Sequence, residues 1–215
     1  MAVSFLDSVP EGVPAFDGTE PSGCSFWRLA AAGRVFYTVP GDHFNCAVGA
    51  HTHNIPLSPE RANETEQTLK MMFELGYVKP EEVPQIPQLP TTPAAIAYAP
   101  LGETPVPPDV VLIRCKPSAA MLLNEAANRA GAASGTPVLG RPTCMALPAS
   151  LRYGAITSLG CIGNRVYTDL GEDEIYFILR GMHVSAVVDA LGVITSANAA
   201  LRDYANGRRL QLATS

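Results

Sequence analysis

Ser158-Leu159-Gly160-Cys161-Ile162-Gly163-Asn164-Arg165-Val166-Tyr167-Thr168 sets two glycines around a cysteine and follows them with an Asn-Arg pair. Glycine accepts positive φ freely and lets backbone or a ligand approach closely, so this composition predicts a tight turn between strands. Tyr153–Ser158 would enter the turn and Val166–Thr168 would leave it. An echo lies far upstream in His43-Phe44-Asn45-Cys46-Ala47-Val48-Gly49-Ala50-His51-Thr52. Each copy has a second cysteine ahead of it, Cys24 for the first and Cys144 for the second.

Beyond each cysteine turn lies the same kind of unit. Asp109-Val110-Val111-Leu112-Ile113 is an acid followed by a continuous apolar run, which reads as a buried strand, and a helix over 118–130 follows it. Glu174-Ile175-Tyr176-Phe177-Ile178 with a helix over 184–191 has the same form. Two such units predict an α+β fold of two pseudo-repeated strand-helix halves, about 21–131 and 132–215, sharing one core. Four thiols, two from each half, would then meet at one interface.

The remaining segments fill in around this frame. Residues 1–20 are punctuated by Pro10, Gly12, Pro14 and Gly18 without sustained periodicity and read as an N-terminal arm, leaving 21–215 as one globular domain. Cys24 to Gly33 reads as a short helix capped by glycine, and Arg34–Val39 as an aromatic, β-branched strand. Ser58-Pro59-Glu60 is a helix start, carrying the chain to Leu75 with Leu69, Met72 and Phe73 as its inward stripe. Prolines recur from Lys79 to Pro108, but the interleaved Val83, Ile86, Leu89, Ile96 and Tyr98 favour an extended wrap with a strand at Ala94–Tyr98 over a solvated linker. Gly131–Gly140 reads as a loose connection, and a last amphipathic helix is expected over about Thr195–Tyr204.

Composition narrows the function classes. The 215 residues are 47% hydrophobic and 16% charged, with a net charge of −5, which disfavours a nucleic-acid backbone or an anionic membrane as partner. The first 21 residues lack the basic and apolar regions of a signal peptide, and no segment reads as long and apolar enough to span a bilayer, so a cytoplasmic protein is expected. The low surface charge and the proline wrap are compatible with a homodimer. Five cysteines, an odd number, point to reduced thiols, metal ligands or a redox centre rather than a disulfide framework. The sequence holds no Walker loop, dinucleotide fingerprint, nucleophile elbow or zinc-protease motif.

Cys24-Ser25-Phe26-Trp27, Asn45-Cys46-Ala47-Val48-Gly49, Arg141-Pro142-Thr143-Cys144 and the segment around Cys161 together resemble the bacterial and archaeal family catalogued as domain of unknown function 169. The resemblance spans about residues 20–205, and the motif around Cys161 is its most specific part. It supports the segment order and the four cysteine positions and brings no activity with it. Cys115 lies outside those motifs.

The sharpest expectation is that Cys24, Cys46, Cys144 and Cys161 ligate one metal centre, an iron–sulfur cluster before zinc. Thiolates are the usual ligands of such clusters, and structural zinc favours C-x-x-C pairs that are missing here. The partner would be a small molecule or a redox partner protein. Asp42, His43, Asn45, His51 and His53 form a second polar constellation, in which His43, beside Cys46, is the first candidate for cofactor binding. Asn45 flanks the same cysteine, and Arg28 and Arg165 each follow a cysteine closely enough to steer an anion or favour a thiolate. Two alternatives stay open: a thiol-dependent enzyme using Cys46 or Cys161 with His43 as base, and a ligand-binding module without catalysis.

Overall fold

In the strands β4 (Val110–Cys115), β6 (Ala155–Ser158) and β7 (Ile175–Arg180), successive side chains point to opposite faces, and each face carries buried apolar residues. Such strands must be covered on both sides. Leu112, Ile156, Tyr176 and Ile178 face one core with Phe26 and Trp27 of α1 (Ser25–Ala31) and Leu147 of α5 (Ala146–Tyr153). Ile113, Ala155, Phe177 and Leu179 face the other, with Ala126 and Ala127 of α4 (Pro117–Arg129) and Val187 and Ala190 of α7 (Val184–Ala213). The result is an α+β fold with helices on both faces of one sheet. This is a computed structural model describing residues 1–132 and 136–213.

Among the described residues the sheet has seven strands in the order β2-β3-β1-β4-β7-β6-β5. The other members are β1 (Ala2–Leu6), β2 (Phe36–Thr38), β3 (Ala95–Ala99) and β5 (Val138–Leu139). All pairings are antiparallel except β5 with β6. The proline-rich stretch carries the expected strand, β3, every residue of which is buried, but its first part, Pro80–Gln85, is a 3-10 helix rather than extended chain. The helix over 59–75 is α3 (Pro59–Glu74), its start capped by the Ser58 hydroxyl accepting from the Arg61 N–H at 3.3 Å. Residues 133–135 of the expected Gly131–Gly140 connection lie outside the described residues.

Four expectations need correction. Residues 1–20 are not wholly an arm, because Ala2–Leu6 is an interior strand hydrogen-bonded to β3 on one side and β4 on the other. Asp109 clamps it there, its N–H donating to Val3 and its carboxylate accepting from the Phe5 N–H at 2.7 Å. The Cys161 turn joins a strand to a helix rather than to a second strand, since α6 (Ile162–Thr168) begins at once after Cys161. The two helices expected near 184–191 and 195–204 are one continuous helix, α7, because Gly192 sits mid-helix without breaking it. That fusion changes the fourth expectation: the helical stretch Gly181–Ala213 is long and apolar enough, by length and composition, to cross a membrane. Its first half packs through Val187 and Ala190 against α4 and the sheet.

The two strand-helix units are neighbours. β4 and β7 pair from Val110↔Arg180 to Cys115↔Ile175, and α4 and α7 share the same core on one face. Element order after Cys24 is helix, strand, cysteine, helix, then strand and helix after the α3–β3 insertion; after Cys144 it is the same without the insertion. Sheet position differs between the halves, as β1 and β3 stand between β2 and β4 whereas β6 pairs directly with β7.

Candidate functional site

Each of the four motif cysteines stands at the start of a short helix. Cys24 precedes α1, and Cys46 precedes α2 (Ala47–Thr52), where its sulfur accepts from the Gly49 N–H at 3.3 Å. Cys144 lies in the 3-10 turn Thr143–Met145 that leads into α5, and Cys161 is the residue before α6. Cysteine is not among the residues that cap helices well, since sulfur is a weak acceptor beside the oxygens of Ser, Asp or Asn. Four such positions are poorly explained by helix stability. Gly160 serves the last of them: it adopts φ of +76°, and a Cβ there would lie 2.7 Å from Leu170, so the chain can turn into Cys161 only with glycine.

All four thiols line one cavity of about 750 Å³. The Ser22 hydroxyl bridges two of them, 3.1 Å from the Cys24 sulfur and 3.6 Å from that of Cys46. Thr143 accepts a hydrogen bond from the Cys161 N–H at its hydroxyl and so ties the Cys144 turn to the α6 start. The walls are mostly apolar, with Phe44, Val48, Ile86 and the inward side chains Leu69 and Met72 of α3. The charged residues lining the cavity, among the described residues, are Arg61, Glu64, Glu82 and Arg141, paired as Arg61–Glu64 at 2.9 Å and Arg141–Glu82 at 3.2 Å in exposed positions.

Burial dominates the electrostatics of the floor. It pushes the Cys24 thiol up to about 11, with the neighbouring Cys46 and Cys161 adding to the rise and the Ser22 hydroxyl and Asn164 amide opposing it. Cys144, partly exposed as a residue, encloses its sulfur and is raised well above the ordinary thiol range by burial and by the nearness of Cys46, Cys161 and Cys24. Cys24 and Cys144 therefore each lie within electrostatic reach of the sulfurs of Cys46 and Cys161. Among the described residues, however, no three His, Cys, Asp or Glu side chains are disposed to share a single metal ion.

The other candidates separate. His43 is buried outside the cavity lining, its Nε2 2.8 Å from the Thr38 hydroxyl and its ring 5.4 Å from that of His53. Burial and His53 depress it to about 3, so it is a neutral core imidazole rather than a base for Cys46. His51 is exposed against Gln88, so the expected histidine constellation does not converge. Asn45 borders the cavity but donates outward to the Glu20 carbonyl at 3.2 Å. Arg28 is an exposed partner of Glu20 at 3.7 Å. Arg165 spends its guanidinium on the carbonyls of Leu159, Gly171 and Glu174, which fastens α6 to the β7 entry and leaves it out of the cavity. Cys115 packs in the second core, away from the other four.

The residue that sequence reasoning passed over is Asn164. It is 1% exposed, lines the cavity beside Cys24, and neither its amide oxygen nor its amide nitrogen has a hydrogen-bond partner. Its position three residues after Cys161, on the same face of a helix that starts there, was the available signal.

No curated protein and no solved structure matches the chain. Residues 1–190 match the model of a family described as Uncharacterised ArCR, a match that takes in β1 and ends within α7, and the chain therefore belongs to the domain of unknown function 169 family.

Proposed function

We propose that the floor of the cavity binds an iron–sulfur cluster through Cys24, Cys46, Cys144 and Cys161, in a redox or cofactor-handling role toward a small molecule or a redox partner protein. The observation that carries this reading is the convergence of four thiols, from four separate helix starts, on one cavity. Burial holds the Cys24 and Cys144 thiols above the ordinary thiol range, with neighbouring cysteines adding to the rise, the opposite of what a cysteine nucleophile needs. A bound metal centre supplies the missing positive charge and displaces the protons. A cluster is the reading carried forward over one zinc ion because thiolates are the usual ligands of such clusters, whereas structural zinc favours C-x-x-C pairs that the sequence lacks. A cluster would supply one-electron chemistry; Ser22, beside two of the ligand sulfurs, would set its potential through hydrogen bonding. The matching element order of the two halves supports reading them as a repeat, each half bringing two of the ligands.

Anaerobic purification with iron, sulfide and zinc analysis and a visible spectrum tests the reading. Brown protein with stoichiometric iron and sulfide, bleached in Cys161→Ser, is expected. Colourless, metal-free protein after anaerobic reconstitution overturns it.

A further inference from the structure

We infer that the cavity beneath α3 is also the binding site of an uncharged, planar organic molecule that presents an amide-like edge, an N–H beside a C=O, to Asn164. The inference requires the cavity but no cluster, so it stands or falls separately from the reading above. It rests on three observations.

The first is a helix without a core. α3 is amphipathic, with Thr65, Leu69 and Met72 on one face at helical spacing, yet none of its residues is buried. That face is turned to the cavity of about 750 Å³ rather than to packed protein. A helix is held by the apolar surface it buries, and here most of that surface has no protein partner. The volume lies within the range of about 300–1,000 Å³ that drug-sized ligands occupy.

The second is Asn164. Its amide is 99% removed from solvent as a residue (1% exposed), and both its donor and its acceptor are unpaired. It lies near Cys24 and Tyr176 without closing a hydrogen bond of normal geometry, and the Tyr176 hydroxyl is already given to Thr168 at 3.0 Å. Leaving a buried amide unsatisfied costs about 1–3 kcal/mol. Because the free donor and acceptor sit on one planar group, the complement is a group that accepts and donates side by side, such as a lactam, a primary amide or an imide edge.

The third is charge. Among the described residues, the four ionic side chains on the lining are paired with each other near solvent, and the rest of the lining offers thiols, hydroxyls and side-chain amides, of which only that of Asn164 is buried. An ionic ligand would lose its hydration there without a counter-charge. Flat apolar walls with Phe44 and Tyr167 suit a planar body.

The probe is quinolin-2(1H)-one, a planar lactam, titrated into the full-length protein and followed by calorimetry. Naphthalene and N-methylquinolin-2-one are the comparison ligands, one lacking the polar edge and the other lacking its N–H. Saturable binding at one site is expected, at least tenfold tighter for the lactam than for either comparison. Asn164→Leu should erase that tenfold preference while retaining naphthalene binding. Leu69→Trp, placed on the half-exposed helix so that the fold survives, should fill the space and abolish binding of all three. Equal affinities for the three ligands, binding untouched by Leu69→Trp, or no saturable binding would each overturn the inference. In the last case water alone satisfies the amide.

Discussion

A cysteine at a helix start is a weak cap, and a histidine in a core is costly to charge. The cysteine positions were legible because their motifs are specific, and all four reach one cavity. His43 was not, because nearness to Cys46 in sequence says nothing about the direction its ring takes. It turns into the core with His53, where burial lowers their pKa values to about 3 and about 4. Both folded values lie below the unfolded value, so the stabilisation is complete above about pH 6.5 and is lost as pH falls toward 4, where the unfolded chain takes up protons that the folded one refuses. Each ring should contribute a slope of up to about 1.4 kcal/mol per pH unit in that window. Urea denaturation at pH 7.5, 6.5 and 5.5 reads this, and His53→Gln should flatten the decline between 6.5 and 5.5. Equal slopes in variant and parent would mean that the folded protein protonates His53 freely. Asn164 and Arg165 show the same limit: they are adjacent in sequence, and only the helical twist of α6 decides that the amide faces the cavity and the guanidinium faces the backbone carbonyls.

At the scale of elements, the segments with strong local signals are legible in the sequence. α3 follows from its Ser-Pro-Glu start, α4 from its proline start, and the apolar runs of β4 and β7 from their composition. α6 and α7 depart from their local sequence signals for opposite reasons. Gly160 and Gly163 suggested a turn, but only Gly160 takes positive φ, and the chain becomes helical directly afterwards. The two helices expected near 184–191 and 195–204 run together because Gly192 sits between them in open space, where a helix tolerates glycine. α3 carries the next prediction. Its C-terminal continuation is fastened across the cavity by Arg141, which pairs with Glu82 at 3.2 Å and lies 5.0 Å over the Tyr77 ring. Exposed contacts of this kind contribute about 1 kcal/mol or less to global stability. Their loss should instead appear locally. In Arg141→Ala, amide hydrogen exchange over residues 59–86 should accelerate several-fold while the melting temperature stays nearly unchanged. Uniform protection in parent and variant would show that α3 is held by other contacts.

At the scale of the molecule, the α+β class followed from two strand-helix units, but the order of the sheet did not. β1 is five residues long and precedes a proline- and glycine-rich stretch, so no local pattern announces that it pairs with β3 and β4 about a hundred residues away. The join between β4 and β7 is the point on which both units depend, and it passes through Gly181. There the chain leaves β7, its N–H donates to the Asp109 carbonyl at 2.8 Å, and a Cβ would stand 1.7 Å from the Pro108 carbonyl oxygen. Backbone cannot yield as a side-chain tip can, so Gly181→Ala must separate the entry to β4 from the exit of β7. A loss of about 3 kcal/mol, the upper part of the range for overpacking, is expected. Gly192→Ala provides the control in the same region, because a Cβ there meets nothing within 4 Å and the site is mid-helix. Relief of the glycine penalty should stabilise the protein by up to about 1 kcal/mol. Chemical denaturation of the two variants side by side should therefore give shifts of opposite sign. A neutral Gly181→Ala would mean that the two strand-helix units are free to part at that end, and that the sheet is held chiefly by the pairs from Val111↔Leu179 to Cys115↔Ile175.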